Sequence, residues 1–174
     1  MRLGKLYPQT SPKWDGWEEI YEHTVAGSAE TSITISNLSG NTDEVYMLDV
    51  RTTVAAMTYS LKLNSDGTVT NYGFQYLYAA DESLTAARNN NTIPQITHGI
   101  GAGNVLICAK SGENRTLLID NIREVSGTTV TSLLTWGWVW NNSADEITSL
   151  VIVASQAGGL GVGSHISLYR RISA

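Results

Sequence analysis

One cysteine, three prolines and three histidines stand among the 174 residues, and only 16% of the side chains are charged. Each shortage removes a class of protein. A lone Cys108 permits no disulfide within the chain and no cysteine-based zinc site in one copy. Its setting, Val105-Leu106-Ile107-Cys108-Ala109, reads as a strand in which the thiol is a small buried hydrophobe. Lys and Arg number 11 against 16 Asp and Glu, for a net charge of −5, and the densest basic spot is Arg170–Arg171. No basic face is available for phosphates, so nucleic acid is not an expected partner. Scarce Lys and Glu also speak against a helical bundle or coiled coil. No stretch approaches the roughly 20 apolar residues of a membrane helix. Met1-Arg2-Leu3-Gly4-Lys5-Leu6-Tyr7-Pro8 lacks the apolar centre of a signal peptide. A soluble chain without a membrane partner, not exported by a recognisable signal, is expected.

Enzyme signatures are missing as well. His23, His98 and His165 each stand alone in their segment, with no His-X-X-X-His or His-Glu-X-X-His pair. No Gly-X-Ser-X-Gly elbow occurs. The acidic pairs Asp43-Glu44, Asp81-Glu82 and Asp145-Glu146 lack calcium-loop spacing, and adjacent strand residues point to opposite faces. Gly158-Gly159-Leu160-Gly161-Val162-Gly163-Ser164 superficially resembles a phosphate loop. It lacks the Lys-Ser/Thr ending and leads into the strand-like His165-Ile166-Ser167-Leu168-Tyr169 rather than a helix. We read it as a flexible hairpin between strands, its glycines allowing positive φ and close backbone approach. No catalytic residue, cofactor or metal is expected.

What the chain does contain is strand and turn chemistry. Thr (19), Ser (17), Asn (12) and Gly (16) make up over a third of it, with 12 Val and 13 Ile beside them. Thr31–Leu38 alternates and places Ile33 and Ile35 on one face. Met57, Tyr59, Leu61 and Leu63 share another, before a tight turn at Ser65-Asp66-Gly67. Strand-like stretches recur near 93–100, 103–110, 115–124, 128–140, 147–154 and 164–172. Residues 80–88 suit one or two helical turns, and Asn89-Asn90-Asn91 a surface loop. About eight to ten strands at this spacing, with no βαβ alternation, predict an all-β fold: an antiparallel β-sandwich. Residues 18–174 form that single domain. Residues 1–17 read as an extended N-terminal arm whose Leu6, Tyr7, Trp14 and Trp17 suit an interface with a neighbouring protein. A weak echo links Asn41-Thr42-Asp43-Glu44-Val45 with Ser143-Ala144-Asp145-Glu146-Ile147, best read as one turn solution used twice.

Trp136-Gly137-Trp138-Val139-Trp140 is the most distinctive local feature. In a strand its three indoles share a face, about 6.8 Å apart. They fill either a core or subunit interface, or form a platform on which sugar rings stack. Gly137, on the opposite face, suits close approach of another layer.

Several segments in order carry a resemblance. They are Ser28–Leu38, Thr42-Asp43-Glu44-Val45-Tyr46, Leu61-Lys62-Leu63-Asn64, Trp140–Leu150 and the terminal Gly163-Ser164-His165-Ile166-Ser167-Leu168-Tyr169-Arg170. Together, from about residue 18 to the C-terminus with a poorly matched middle third, they resemble small, stand-alone tailed-bacteriophage virion proteins. Arg170 departs from that pattern, where Leu-Tyr-Gly is common. The resemblance implies a jelly-roll-like module carried on the virion and assembled in the host cytoplasm. Taken with the composition, it leads us to expect a capsid decoration or cement subunit that contacts the major capsid protein and its own copies, as a homotrimer. A tail or fibre component, or a host-glycan-binding module using Trp136, Trp138 and Trp140, stays open beside it. An enzyme is not expected.

Overall fold

The computed structural model describes residues 13–14, 16–80, 83–123 and 127–172. These residues form a two-layer, all-antiparallel β-sandwich. The strands are β1 (Lys13–Trp14), β2 (Trp17–Thr24), β3 (Ser32–Ser36), β4 (Val45–Thr52), β5 (Thr58–Leu63), β6 (Tyr72–Ala80) and β7 (Ser83–Asn90). Then come β8 (Gln95–His98), β9 (Gly101–Cys108), β10 (Arg115–Arg123), β11 (Ser132–Trp140), β12 (Ser149–Ala154) and β13 (His165–Arg171). One sheet has nine strands in the order β1-β2-β13-β4-β9-β10-β11-β6-β7; the other has four, β3-β12-β5-β8. The chain passes repeatedly from one sheet to the other, so each sheet holds strands distant in sequence.

Alternation explains the core. Along β3 the order exposed-buried repeats and puts Ile33 and Ile35 inward. Tyr59, Leu61 and Leu63 of β5 and Leu150 and Ile152 of β12 join them from the small sheet. Facing them are Tyr46, Leu48 and Val50 of β4, Val105 and Ile107 of β9, Leu117 and Ile119 of β10, and Ile166 and Leu168 of β13. Burying each such aliphatic side chain contributes about 1.5–3 kcal/mol. Gly103 sets the closest approach of the layers: a Cβ there would meet the Ile96 carbonyl oxygen of β8 at 2.2 Å.

Connections are tied by side chains. Asn64, at φ 50°, turns β5 out of its sheet. Its Oδ1 accepts from the Thr148 and Ser149 backbone amides at 2.8 and 3.2 Å, and its Nδ2 donates to the Glu146 carbonyl at 2.7 Å. The echoing segments near 41 and 145 lie side by side. The Asn41 amide donates to Glu146 Oε1 (3.0 Å) and the Gly40 amide to the Ile147 carbonyl (3.1 Å).

Four expectations change. Residues 83–90 are not helical turns followed by a loop. They form β7, paired with β6 from Gly73–Asn90 to Ala80–Ser83, because the β6 backbone offers them a template that outweighs local propensity. The glycine-rich segment is not a hairpin, since it links β12 of the small sheet to β13 of the large one. It is packed as well: Leu160 is buried, and a Cβ on Gly159 would meet the Ala154 Cβ at 2.5 Å. Cys108 is exposed, because β9 buries Val105 and Ile107 and so turns Leu106 and Cys108 outward. Among the described residues thirteen strands stand where eight to ten are expected, the pair β1–β2 and β7 among the additions.

Candidate interaction surface

The expected arm residues separate. Leu6 and Tyr7 lie outside the described residues. Trp14 belongs to β1, whose backbone pairs Trp14 with Trp17. Trp17 opens β2, is half-buried, and pairs with Arg171 of β13.

Strand β11 carries the tryptophans inward. Trp136, Trp138 and Trp140 are 6%, 1% and 1% exposed. The Trp136 and Trp138 rings stack at 5.5 Å, Phe74 of β6 lies 4.5 Å from Trp138, and Tyr76 lies 4.8 Å from Trp136. The Arg123 guanidinium sits 5.8 Å from the Trp136 ring centre. Aromatic pairs at such spacing add about 0.5–1.5 kcal/mol each beyond area burial. Trp140 ends the ladder differently, its Nε1 donating to Asp66 Oδ2 at 2.8 Å. Partial burial opposes ionisation of Asp66, but donors from Asn71, Trp140 and Thr68 outweigh it and hold the carboxyl below its ordinary range. The indoles therefore stand as core, and a sugar ring would reach them only if the sheet opened.

The outer face of the nine-stranded sheet divides in two. On β2, β13 and β4 it is charged: Glu19, Glu22, Asp49, Arg51, His165 and Arg171 lie there. Arg51 pairs with Asp49 at 3.6 Å, and His165 Nε2 lies 3.9 Å from Glu22. Burial, with help from Glu19 and Asp49, pushes the Tyr169 phenol up. At the rim, Arg170 donates from Nε and Nη2 to Glu18 Oε2 (2.9 and 2.8 Å) and reaches Asp43 Oδ1 at 3.4 Å. Asp43 in turn accepts from the Tyr46 hydroxyl at 2.7 Å. Burial first, then this bond and charge, raise the Tyr46 phenol far above its usual value.

On β9, β10, β11, β6 and β7 the outer face is richer in apolar side chains, set among the exposed polar residues Gln75, Arg88, Asn104, Thr116, Asp120 and Thr135. Leu77, Leu84, Leu106, Leu118, Leu133 and Val139 are exposed, Leu84 to 73% and Leu133 to 54%. Strand pairing makes them neighbours: Leu106 is opposite Leu118, Leu118 opposite Gly137, and Leu133 and Leu84 both opposite Ala79. Among the described residues Asp120 and Arg88 are the charged side chains of this half. Shallow depressions between the side chains are lined by Leu106, Cys108, Thr116, Leu118, Gly137 and Val139, and by Leu77, Ala79, Leu84, Leu133 and Thr135. Sequence reasoning missed this surface. The available signal was the unbroken apolar runs Val105-Leu106-Ile107, Leu117-Leu118-Ile119 and Trp138-Val139-Trp140, which are the mark of strands covered on both faces.

Glu44 pairs with Lys110, whose hydrogen bond and charge hold its carboxyl low, and Asn142 Nδ2 donates to Asp145 Oδ2 at 2.8 Å. His23 Nε2 meets Glu30 Oε1 at 3.0 Å, and His165 Nδ1 meets Thr24 Oγ1 at 2.9 Å. Among the described residues no group of three or more His, Cys, Asp or Glu is placed to hold a metal ion, and no helix is long and apolar enough to cross a membrane. Compared with known proteins, the chain matches no family model and no curated protein.

Proposed function

We propose that this protein is a non-enzymatic structural subunit of a tailed-bacteriophage virion, a decoration or cement protein that stabilises the capsid shell by contact. The observation that carries this reading is the exposed apolar side chains on half of the outer sheet face, which suit a subunit that works by contact with other protein surfaces, sister copies among them. The sequence resemblance supports it, as does the repeated passage of the chain between two sheets, which suits a jelly-roll-like module. The N-terminal residues, with Leu6 and Tyr7, add the contact to the major capsid protein, and sister copies complete it. Many equivalent copies each burying a modest area stabilise a shell by mass action. No bond is made or broken in that role.

The test is sedimentation of the purified protein with capsids and, separately, with tails of a phage that carries its gene. The reading predicts that full-length protein sediments with capsids and that a variant lacking residues 2–12 stays in the supernatant with its fold intact. Binding to tails alone, or capsid binding unchanged by the truncation, contradicts it.

A further inference from the structure

We infer that the apolar half of the outer sheet face is occupied by a second copy of this chain, packed face to face about a two-fold axis. This inference stands on the face itself and does not require the virion reading. Strands β9, β10 and β11 carry apolar residues on both sides, as strands covered on both sides do. Five strands at about 4.8 Å spacing and about seven residues of rise give a plate of roughly 20 by 25 Å. With its side-chain relief, that is the scale of the roughly 800 Å² per partner in a stable interface. Gln75, Arg88, Asn104, Thr116, Asp120 and Thr135 interrupt the plate, and between them apolar residues still meet across strands, as Leu106 does Leu118 and Ile122 does Leu133, in the manner of an interaction site.

The charges select the occupant. The chain carries a net charge of −5, so two copies repel over most of their surfaces. This half holds Asp120 and Arg88, of opposite sign. They lie three strands and one two-residue step apart, about 16 Å. A two-fold axis lying in the face, along the perpendicular bisector between them, sets Asp120 of each copy against Arg88 of the other. The surface is thus self-complementary, as an isologous contact requires. Gly137 lies between them on β11, and nothing stands within 4 Å of where its Cβ would be, so the partner's side chains can approach the backbone there. A two-fold contact does not by itself give the trimer expected from the sequence; a trimer that also used this face would be a hexamer.

The experiment is sedimentation equilibrium on the full chain over a concentration series, with three kinds of variant. The inference predicts an even number of copies. Asp120→Arg and Arg88→Asp each weaken association at least tenfold, and the double variant returns it to within about threefold of the parent. Gly137→Lys has room in the single subunit and keeps its near-ultraviolet circular dichroism, yet dissociates the pair. A monomer at all concentrations, an odd-numbered assembly, or an even one indifferent to these changes overturns the inference. Loss of capsid binding with pairing intact contradicts only the virion reading.

Discussion

Two halves of one sheet face differ in how they treat water. On β2, β13 and β4 the outward positions hold Glu19, Glu22, Asp49, Arg51 and Arg171; on β9, β10, β11, β6 and β7 they hold Leu106, Leu118, Leu133, Leu77 and Leu84. Both halves are antiparallel strands of one sheet, and β4 and β13 in the first half and β9, β10 and β11 in the second bury apolar inner residues. Secondary structure therefore does not set the difference. What differs is the surroundings each half is built to meet. Carboxylates and guanidinium groups in the first half remain hydrated while pairing with one another. In the second half apolar side chains lie next to each other across strand pairs, an arrangement that gains free energy only when something covers it.

The comparison can be broken most severely from beneath. The apolar half is held by its aromatic inner ladder, so Trp138→Ala is expected to cost about 3–5 kcal/mol of unfolding free energy, read by denaturant titration. A loss below about 1 kcal/mol would mean the ladder does not anchor these strands. Asp66 ties the end of that ladder through Trp140, and Asp66→Ala should cost about 1.5–3 kcal/mol. The folded-state carboxyl is held below its unfolded value. Its contribution is therefore complete above the unfolded range near pH 3.9 and disappears as the pH falls through the lower, folded value. Acid titrations of the parent and Asp66→Ala should thus converge below about pH 4.

The charged half should respond more weakly. Arg170→Ala removes partly exposed bonds to Glu18 and Asp43, and about 0.5–1 kcal/mol is expected, shrinking in high salt. The smallest effect belongs to the apolar outer face. Leu133→Ser should change the stability of the dilute single subunit by no more than about 0.5 kcal/mol, while weakening self-association measured by light scattering. A large stability loss in the dilute subunit would show that Leu133 packs within its own chain.

Where burial alternates, the fold was readable from the residues. Ile33 and Ile35, or Tyr59, Leu61 and Leu63, declare an inward face because their neighbours are polar. Strand β7 gave no such pattern because its described side chains are exposed on both faces; backbone bonds to β6 make it a strand, and Leu84, Ala86 and Ala87 suit a helix equally well. Cys108 was misplaced for a related reason. When both parities of β9 are apolar, the residues cannot say which one faces the core. The same ambiguity hid the apolar outer positions, since in Val105-Leu106-Ile107 and Leu117-Leu118-Ile119 it is strand pairing and burial that place Leu106 and Leu118 outside. Arg170, which departs from the resembled pattern, is explained by its bonds to Glu18 and Asp43.

Cys108, the chain's single thiol, lies on the apolar half of the face and so supplies a native reporter of its coverage. The decisive measurement is the rate of its alkylation across a series of protein concentrations. The control is the Cys108→Ser, Arg51→Cys variant, whose thiol lies on the charged half. The account predicts that Cys108 is increasingly protected as concentration rises, while the thiol at position 51 reacts at a constant rate. Equal, concentration-independent reactivity of both thiols would contradict it.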